Sequence, residues 1–373
     1  MNAPRRVLMT VDAVGGVWRY ATDLARGLNE RGIACLLVGT GPRPGSGLEF
    51  GSPGPTGTEL VWTDETLDWM ADDEAALESM PATLAGLARD WRADLLHLNL
   101  PSQAVGLPEQ LPVLVASHSC VPTWWDVMRG GPLPDQWAWQ RRRNRRGLDR
   151  ADRVLVPSAS HAAALIRAYG SAIRLSVVHN STNAPPSDDG KEPFVLAAGR
   201  WWDEGKNAAA IDLAALDLAA RSSPWPVRMV GALAGPNGQA VSIRHAEALG
   251  ELTPEALLTL MRRAAIFVSP SRYEPFGLAV LEAATQHAAL VLADIPTFRE
   301  LWAGAALFVP ATDAAGFAEA IARLAQDAAL RRQLATRAAQ IARLLGPARQ
   351  LEGVIGAYGN AMMRHARHVR GAG

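Results

Sequence analysis

The sequence predicts an α/β protein made of two doubly wound domains in tandem, each a parallel sheet flanked by helices. Three observations carry that expectation. Short apolar runs alternate with amphipathic stretches along all 373 residues, the order that parallel strands joined by crossover helices require. A segment at 183–193 with three prolines, three acidic residues and a glycine interrupts the alternation, and a fresh series of the same kind follows it. The length suits two cores at roughly 150 residues each.

In order, the first series reads as strand 6–11, helix 16–30, strand 33–38 and a Pro- and Gly-rich loop at 39–57. Strand 59–62, helix 74–91, strands 94–98 and 113–117, a long helical region at 122–148, strand 153–156, helix 159–169 and strand 173–178 complete it. The second series reads as strand 194–198, helix 205–221, strand 227–230, helix 254–263, strand 265–269, helix 277–287, strands 290–293 and 306–309, and helices 314–326 and 329–345. A last helical segment at 348–369 has no strand to follow and is expected to pack back on the first domain. The expected division is therefore 1–183, 184–347 and a terminal helix from 348 to 373. Two such domains place a ligand in a cleft facing the carboxyl ends of both sheets.

Composition narrows the function classes. Thirty-seven basic and 37 acidic residues sum to zero, which argues against a nucleic-acid binder, so any electrostatic site must be local. Only Lys191 and Lys206 are lysines, the other basic residues being arginine. Cys35 and Cys120 are the only cysteines and form no CxxC spacing, the usage of a reducing compartment. No apolar stretch reaches the ~18 residues of a membrane span, and the start lacks the form of a signal peptide. A cytoplasmic protein, at most peripheral to the inner face of a membrane, is expected.

The chemistry concentrates in a few places. In Ser269-Pro-Ser-Arg-Tyr-Glu-Pro-Phe-Gly-Leu-Ala-Val-Leu-Glu282 a strand ends, a turn carries Glu274, and a helix opens at Gly277 whose free N–H groups form an anion site. Glu282 lies farther along that helix, so the two carboxylates serve opposite ends of a ligand. In Ala198-Gly-Arg-Trp-Trp-Asp-Glu-Gly-Lys-Asn207, Arg200 and Lys206 bracket a loop and can converge on a diphosphate, one as a fork and one as a point charge. Gly15 and Gly16 in the first strand–helix turn permit close backbone approach to a ligand. His118 and Cys120 follow a strand end, and Asp94-Leu-Leu-His-Leu-Asn99 does the same. His97 reads as wall or packing and Cys120 as a free thiol.

The Glu-x7-Glu arrangement within Tyr-Glu-Pro-Phe-Gly-Leu-x-x-Leu-Glu-Ala resembles the retaining glycosyltransferases of family 4, enzymes of the GT-B fold with two Rossmann-like domains and nucleotide-sugar donors. The resemblance implies that Glu274 contacts donor-sugar hydroxyls, Glu282 holds the ribose diol, and Phe276, Gly277 and Leu278 lie against the donor. It implies that Arg200 and Lys206 neutralise the leaving diphosphate, that Gly15 and Gly16 close over donor phosphate and sugar, and that His118 reaches the donor sugar near the reaction centre. The spacer before Lys206 is one residue longer than in many members, and 178–183 lacks their Asn-Gly-Val-Asp junction. No metal and no cofactor beyond the nucleotide-sugar co-substrate is expected.

The implied reaction moves a hexose from a UDP-sugar, with GDP-mannose as competitor, to a hydroxyl of a glycan, lipid-linked or small-molecule acceptor, as in polysaccharide biosynthesis. Asn99, Trp124 and Trp125 are acceptor candidates. Trp124, Trp125, Trp137 and Trp139 beside the arginines of 141–146 read as a sugar-binding surface, as a contact with an anionic membrane, or as a helix packed by tryptophan with a solvated basic face. Of the other classes, a phosphorylase needs a cofactor lysine and a longer chain, while a catalytically silent nucleotide-sugar sensor keeps the donor site without the chemistry.

Overall fold

A computed structural model describes residues 3–43, 57–171, 173–187, 190–221 and 225–371. The chain divides into two compact units, 1–180 with 347–373, and 181–346. In the first unit, β1 (Arg6–Val11), α1 (Gly16–Glu30), β2 (Ala34–Gly39), β3 (Thr58–Trp62), α2 (Met80–Asp90), β4 (Leu95–Leu98) and β5 (Val113–Ala116) come in turn. Next are α3 (Val121–Met128), α4 (Ala138–Arg150), β6 (Arg153–Val156), α5 (Ala159–Tyr169) and β7 (Leu175–Val177). Its seven strands are ordered β3-β2-β1-β4-β5-β6-β7, all parallel. The order reverses between β1 and β4, which puts a topological switch point at their carboxyl ends.

The second unit runs β8 (Glu192–Ala198), α6 (Ala208–Ala220), β9 (Val227–Val230), β10 (Glu247–Gly250), α7 (Pro254–Arg263), β11 (Ala264–Ser269) and α8 (Leu278–Thr285). It continues with β12 (Ala289–Ala293), α9 (Pro296–Trp302), β13 (Ala306–Val309), α10 (Ala314–Gln326) and α11 (Ala328–Leu344). Its parallel sheet is ordered β10-β9-β8-β11-β12-β13, so its switch point lies between β8 and β11. The last helix, α12 (Pro347–Gly371), belongs to the first unit.

Local chemistry explains the boundaries. Side-chain oxygens of Ser158, Thr253, Asp313 and Asp327 cap α5, α7, α10 and α11, supplying acceptors for otherwise orphaned first-turn N–H groups. Central strands are apolar on both faces, as a sheet covered by helices demands. Leu351, Val354, Tyr358 and Ala361 recur every three or four residues along α12 and are all buried against β1, α1 and β5, an amphipathic stripe that docks the helix. In the second unit Trp302, Phe298, Phe267 and Phe317 are fully buried, each contributing on the order of 3 kcal/mol of transfer free energy at the upper end.

Several expectations are corrected. The single helical region at 122–148 is two helices, because Gly130 and Gly131 both take left-handed backbone (φ 66° and 70°) ahead of Pro132 and Pro134. The helix expected at 74–91 is a 3-10 turn over Glu74–Leu77 followed by α2. The helix expected from 205 begins as a turn, Glu204–Lys206, and restarts after Asn207, whose φ is 59°. Strand β10 and helix α9 were not anticipated. Most of the loop expected at 39–57, and residues 188–189 of the expected linker, lie outside the described residues. Among the described residues no helix is long and apolar enough to cross a membrane.

Candidate active site

In the second unit the switch point gathers the two charged motifs. The loop after β8 is seated from below: Trp201 is buried and its indole N–H donates to the Val230 carbonyl at 2.9 Å. Gly231, at φ +127°, passes so close to Gly199 that a Cβ there would strike the Gly199 carbonyl. The loop is then stitched to the one after β11. The Gly205 carbonyl accepts from the Arg272 and Tyr273 amides at 2.8 and 3.3 Å, while the Asn207 side chain donates to the carbonyls of Pro270 and Ala311 at 2.9 and 2.8 Å. These bonds bring residues 68 positions apart together, and Lys206 Nζ stands 2.5 Å from Glu274 Oε2. Both side chains are more than four-fifths shielded.

Arg200 has a looser seat. One guanidinium nitrogen is 3.5 Å from the Asp203 carboxylate, and the group lies over the Trp202 ring at 5.4 Å. Each cation of the expected diphosphate pair therefore rests on a carboxylate. Gly277 caps α8 in the left-handed region at φ +93°. A Cβ there would lie 3.0 Å from Phe298 Cε1, so a glycine is needed for both conformation and space. Leu278 opens the helix, its side chain partly buried, and Glu282 is half-buried on α8. Phe276 is different from the expectation: its side chain is 3% exposed and packs in the core, so only its backbone is available to a ligand.

Loss of the Gly231 seat gives a specific expectation. Gly231→Ala should weaken nucleotide-sugar binding about tenfold, because backbone strain of ~1–3 kcal/mol is relieved by moving the Arg200 loop. Gly238, also at positive φ but with nothing within 4 Å of an added Cβ, is the control. Equal donor affinities in Gly231→Ala and Gly238→Ala would contradict this.

In the first unit Gly15, extended, precedes α1, which begins at Gly16. Asn99 follows β4 and His118 follows β5. Asn99 is 3% exposed, and its amide N–H donates to the Thr10 carbonyl at 2.5 Å while its backbone N–H donates to Thr10 Oγ1 at 2.9 Å. That leaves Asn99 Oδ1 facing His118 Nε2 at 2.8 Å. A carbonyl oxygen can only accept, so His118 carries its proton on Nε2 and keeps Nδ1 as an acceptor. Tyr20 meets the ring edge-on at a centroid distance of 4.4 Å. Burial lowers the His118 pKa to about 4, which makes it a neutral imidazole at ordinary pH.

Asn99 was expected as an acceptor contact. The structure gives it another occupation, since its amide is divided between Thr10 and His118. Behind it His97 is wholly buried, with Nδ1 2.8 Å from the Tyr358 hydroxyl and Nε2 3.4 Å from that of Tyr20. Burial, then repulsion from His118, lowers its pKa to about 3. The thiol of Cys120 sits 3.2 Å from Thr123 Oγ1 and 3.4 Å from the Tyr169 hydroxyl, and burial raises its pKa, the opposite of an activated nucleophile.

Trp124 and Trp125 lie on α3, half-buried, with the Arg129 guanidinium 5.2 and 6.0 Å from their rings. Trp125 meets Trp137 edge-on at 5.1 Å. The arginine run beside them is split: Arg141, Arg142 and Arg146 are exposed, Arg145 is half-buried and Arg143 is internal. Arg143 is buried and donates to the carbonyls of Ser102 and Leu77. Arg143 and Arg146 share Glu74, Arg145 holds Asp149 and the Tyr169 carbonyl, and Arg141 reaches Ala168. Sequence reading missed Thr10, Tyr20, Tyr358 and Gly231; only Gly231, directly after a strand, left a local signal.

Comparison with known proteins identifies the family. The family model described as Glycosyltransferase Family 4 matches residues 14–184, and that described as Glycosyl transferases group 1 matches 185–341. No curated protein matches the sequence. Among solved structures, sucrose-phosphate synthase from Thermosynechococcus elongatus is similar over 99% of both chains at 18% identity, with a TM-score of 0.72. Anabaena HepE in complex with UDP and glucose is similar over 93% of this chain and 97% of its own at 15% identity (TM-score 0.67). A UDP-forming α,α-trehalose-phosphate synthase from Burkholderia vietnamiensis is similar over 97% and 98% at 13% identity (TM-score 0.69). The two family models between them cover residues 14–341, most of both units, and the chain is a glycosyltransferase of the GT-B type.

Proposed function

We propose that the chain transfers a hexose from a UDP-sugar to an acceptor hydroxyl with retention of anomeric configuration. The observation that carries this is the Lys206–Glu274 contact at the second switch point, which joins the expected phosphate cation to the expected sugar-binding carboxylate. Donor binding sets the diphosphate against Lys206, Arg200 and the amides that open α8, with Glu282 toward the ribose. The named binding of UDP and glucose by Anabaena HepE and the UDP-forming reaction of the trehalose-phosphate synthase support the choice of UDP.

In this reading the bond from the anomeric carbon to the leaving phosphate oxygen breaks as the acceptor oxygen attacks from the same face. The acceptor proton passes to that phosphate oxygen, so no carboxylate nucleophile and no metal is required. Lys206, Arg200 and the α8 amides stabilise the charge that develops on the diphosphate, and such fixed donors act most strongly on charge that appears in the transition state. Neutral His118, held by Asn99, offers Nδ1 to a donor-sugar hydroxyl. The acceptor is a glycan, lipid-linked or small-molecule hydroxyl, with Trp124 and Trp125 as sugar-stacking faces.

Thermal shift with UDP-glucose, GDP-mannose and ADP-glucose tests the donor. At a hundredfold excess over Kd a bound ligand adds about 2.7 kcal/mol to the folded state, so the UDP-sugar should raise Tm by a few degrees and release UDP slowly in water. No shift with any of the three would overturn the assignment. Tight binding without turnover across a panel of acceptors would instead identify a sensor.

A further inference from the structure

The first unit holds a second charged feature, remote from the residues discussed so far. A cavity of about 580 Å³ is lined by Asp152, Arg153, Arg174, Asn360, Met363, Arg364, Arg367 and His368. Arg153 opens β6 and Arg174 directly precedes β7, so the cavity lies at the amino ends of parallel strands. Asn99 and His118 follow β4 and β5, at the opposite, carboxyl end of the same sheet.

The helix contributes one face. Asn360, Arg364, Arg367 and His368 recur at three- and four-residue spacing on α12, so their side chains line up along one side. The buried stripe through Val354, Tyr358 and Ala361 holds the other side in the core. The cavity is thereby walled by a helix that cannot easily rotate away.

Its charge is unbalanced. Four guanidinium groups face Asp152, with the Asp149 carboxylate also acting on Arg174. Both carboxylates are committed: Asp149 pairs with Arg145 at 2.9 Å, while Asp152 accepts from the Val113 amide at 3.0 Å and lies 3.4 Å from His365 Nδ1 and 3.9 Å from Arg150. Two of the arginines are anchored by one edge, Arg153 Nε to Ser176 Oγ at 2.8 Å and Arg174 Nη1 to the Ala151 carbonyl at 3.1 Å. A guanidinium has five N–H donors, so each retains others for a ligand. Desolvation, then the nearby Arg364 charge, lowers the Arg174 pKa. Like charges three apart on a helix also repel, as Arg364 and Arg367 do, and a bound anion would relieve both effects.

We infer that this cavity binds a phosphate group carried on a larger molecule. Guanidinium forks match phosphate oxygens bidentately. The site is open to solvent on one side, leaving room for a group attached to the phosphate, and Met363, 42% exposed, together with the arginine stems, gives an apolar wall for it. A soluble phosphomonoester and the headgroup of an anionic phospholipid share this chemistry.

The test uses the whole chain and two probes. In one arm Tm is followed against inorganic phosphate, with sodium chloride at matched ionic strength as reference. In the other, co-sedimentation is measured with phosphatidylcholine vesicles with and without phosphatidylglycerol. The R364S/R367S double variant, altered only at exposed helix positions, should bind the responding probe about a hundredfold more weakly, the loss of two charge-assisted hydrogen bonds. Its Tm without probe should stay within a few degrees of the unaltered chain, since the lost like-charge repulsion offsets the lower helix propensity of serine. Lys206→Ala should keep the response, which separates this cavity from the donor site. A response to phosphate alone identifies a soluble ligand, and one to phosphatidylglycerol vesicles identifies a lipid headgroup. No response in either arm, or a response equal in the double variant, would overturn the inference.

Discussion

Lys206→Ala should lower the rate of sugar transfer by roughly 10²- to 10³-fold while the chain still folds. The magnitude follows from removing one preorganised donor aimed at developing charge, which costs about 3–4 kcal/mol in the transition state. Lys206 has a second duty here, because it stands 2.5 Å from Glu274 in a setting where both groups are largely shielded. Deleting the ammonium leaves a mostly buried carboxylate without that partner, so some loss of Tm accompanies the loss of turnover. Lys206→Arg separates the two contributions. It restores the positive charge and hence much of the stability, but its planar fork does not reproduce a point charge between a carboxylate and a phosphate, so turnover should recover only in part. Steady-state kinetics with saturating UDP-glucose, read beside a melting curve, decide the matter. Unchanged turnover in Lys206→Ala would remove the diphosphate assignment.

Acid should destabilise the first unit well before its carboxylates titrate. His97, His118 and His161 are held neutral by burial, with pKa values lowered to about 3, 4 and 3. In the unfolded chain each returns to the ordinary histidine value near 6.5. A depressed folded value means that each group adds stability that is complete above about pH 6.5 and is lost as the pH falls toward the folded values. Between those limits the unfolded state takes up three more protons than the folded one, a slope approaching about 4 kcal/mol per pH unit. Urea unfolding followed by hydrogen exchange, peptide by peptide, should show the midpoint for β4 and β5 falling steeply from pH 7 to pH 5. His161→Gln keeps a polar group near Ser117, 3.2 Å from the native ring nitrogen, and should flatten the slope by about one proton. A midpoint that does not move over this range would show that these rings titrate normally.

The layout of the second switch point was legible in the sequence because its motifs are local. A strand end, a turn with Glu274 and a glycine opening a helix lie within a few residues, and the Arg200–Lys206 loop repeats that logic after β8. What local pattern could not supply is the stitching between loops. The Asn207 bonds to Pro270 and Ala311 span 63 and 104 residues, and no periodicity announces them. Asn99 and Phe276 show the same limit from the other side: both were expected to touch a ligand, but burial spends one side chain on Thr10 and His118 and the other on the core. The arginine run at 141–146 divides: Arg141, Arg142 and Arg146 keep the exposed basic face that was one of the expected readings, while Arg143 turns inward. A guanidinium such as that of Arg143 can instead enter the interior when distant carbonyls satisfy it, and those carbonyls are invisible in a linear reading. Short β10 and α9 went unseen because four to seven residues carry little periodic signal.

The fate of the two lysines has a practical consequence. Lys191 reaches across to the carbonyls of Met261, Arg262 and Gln286 at the ends of α7 and α8, while Lys206 meets Glu274. The side chains thus offer two amines in 373 residues, one buttressing helix ends and one at the proposed reaction centre. Reductive methylation with isotope-enriched formaldehyde would therefore install spectroscopic reporters at two known points. The signal from Lys206 would then read out, in a protein of this size, whether its charge is facing a carboxylate or a phosphate.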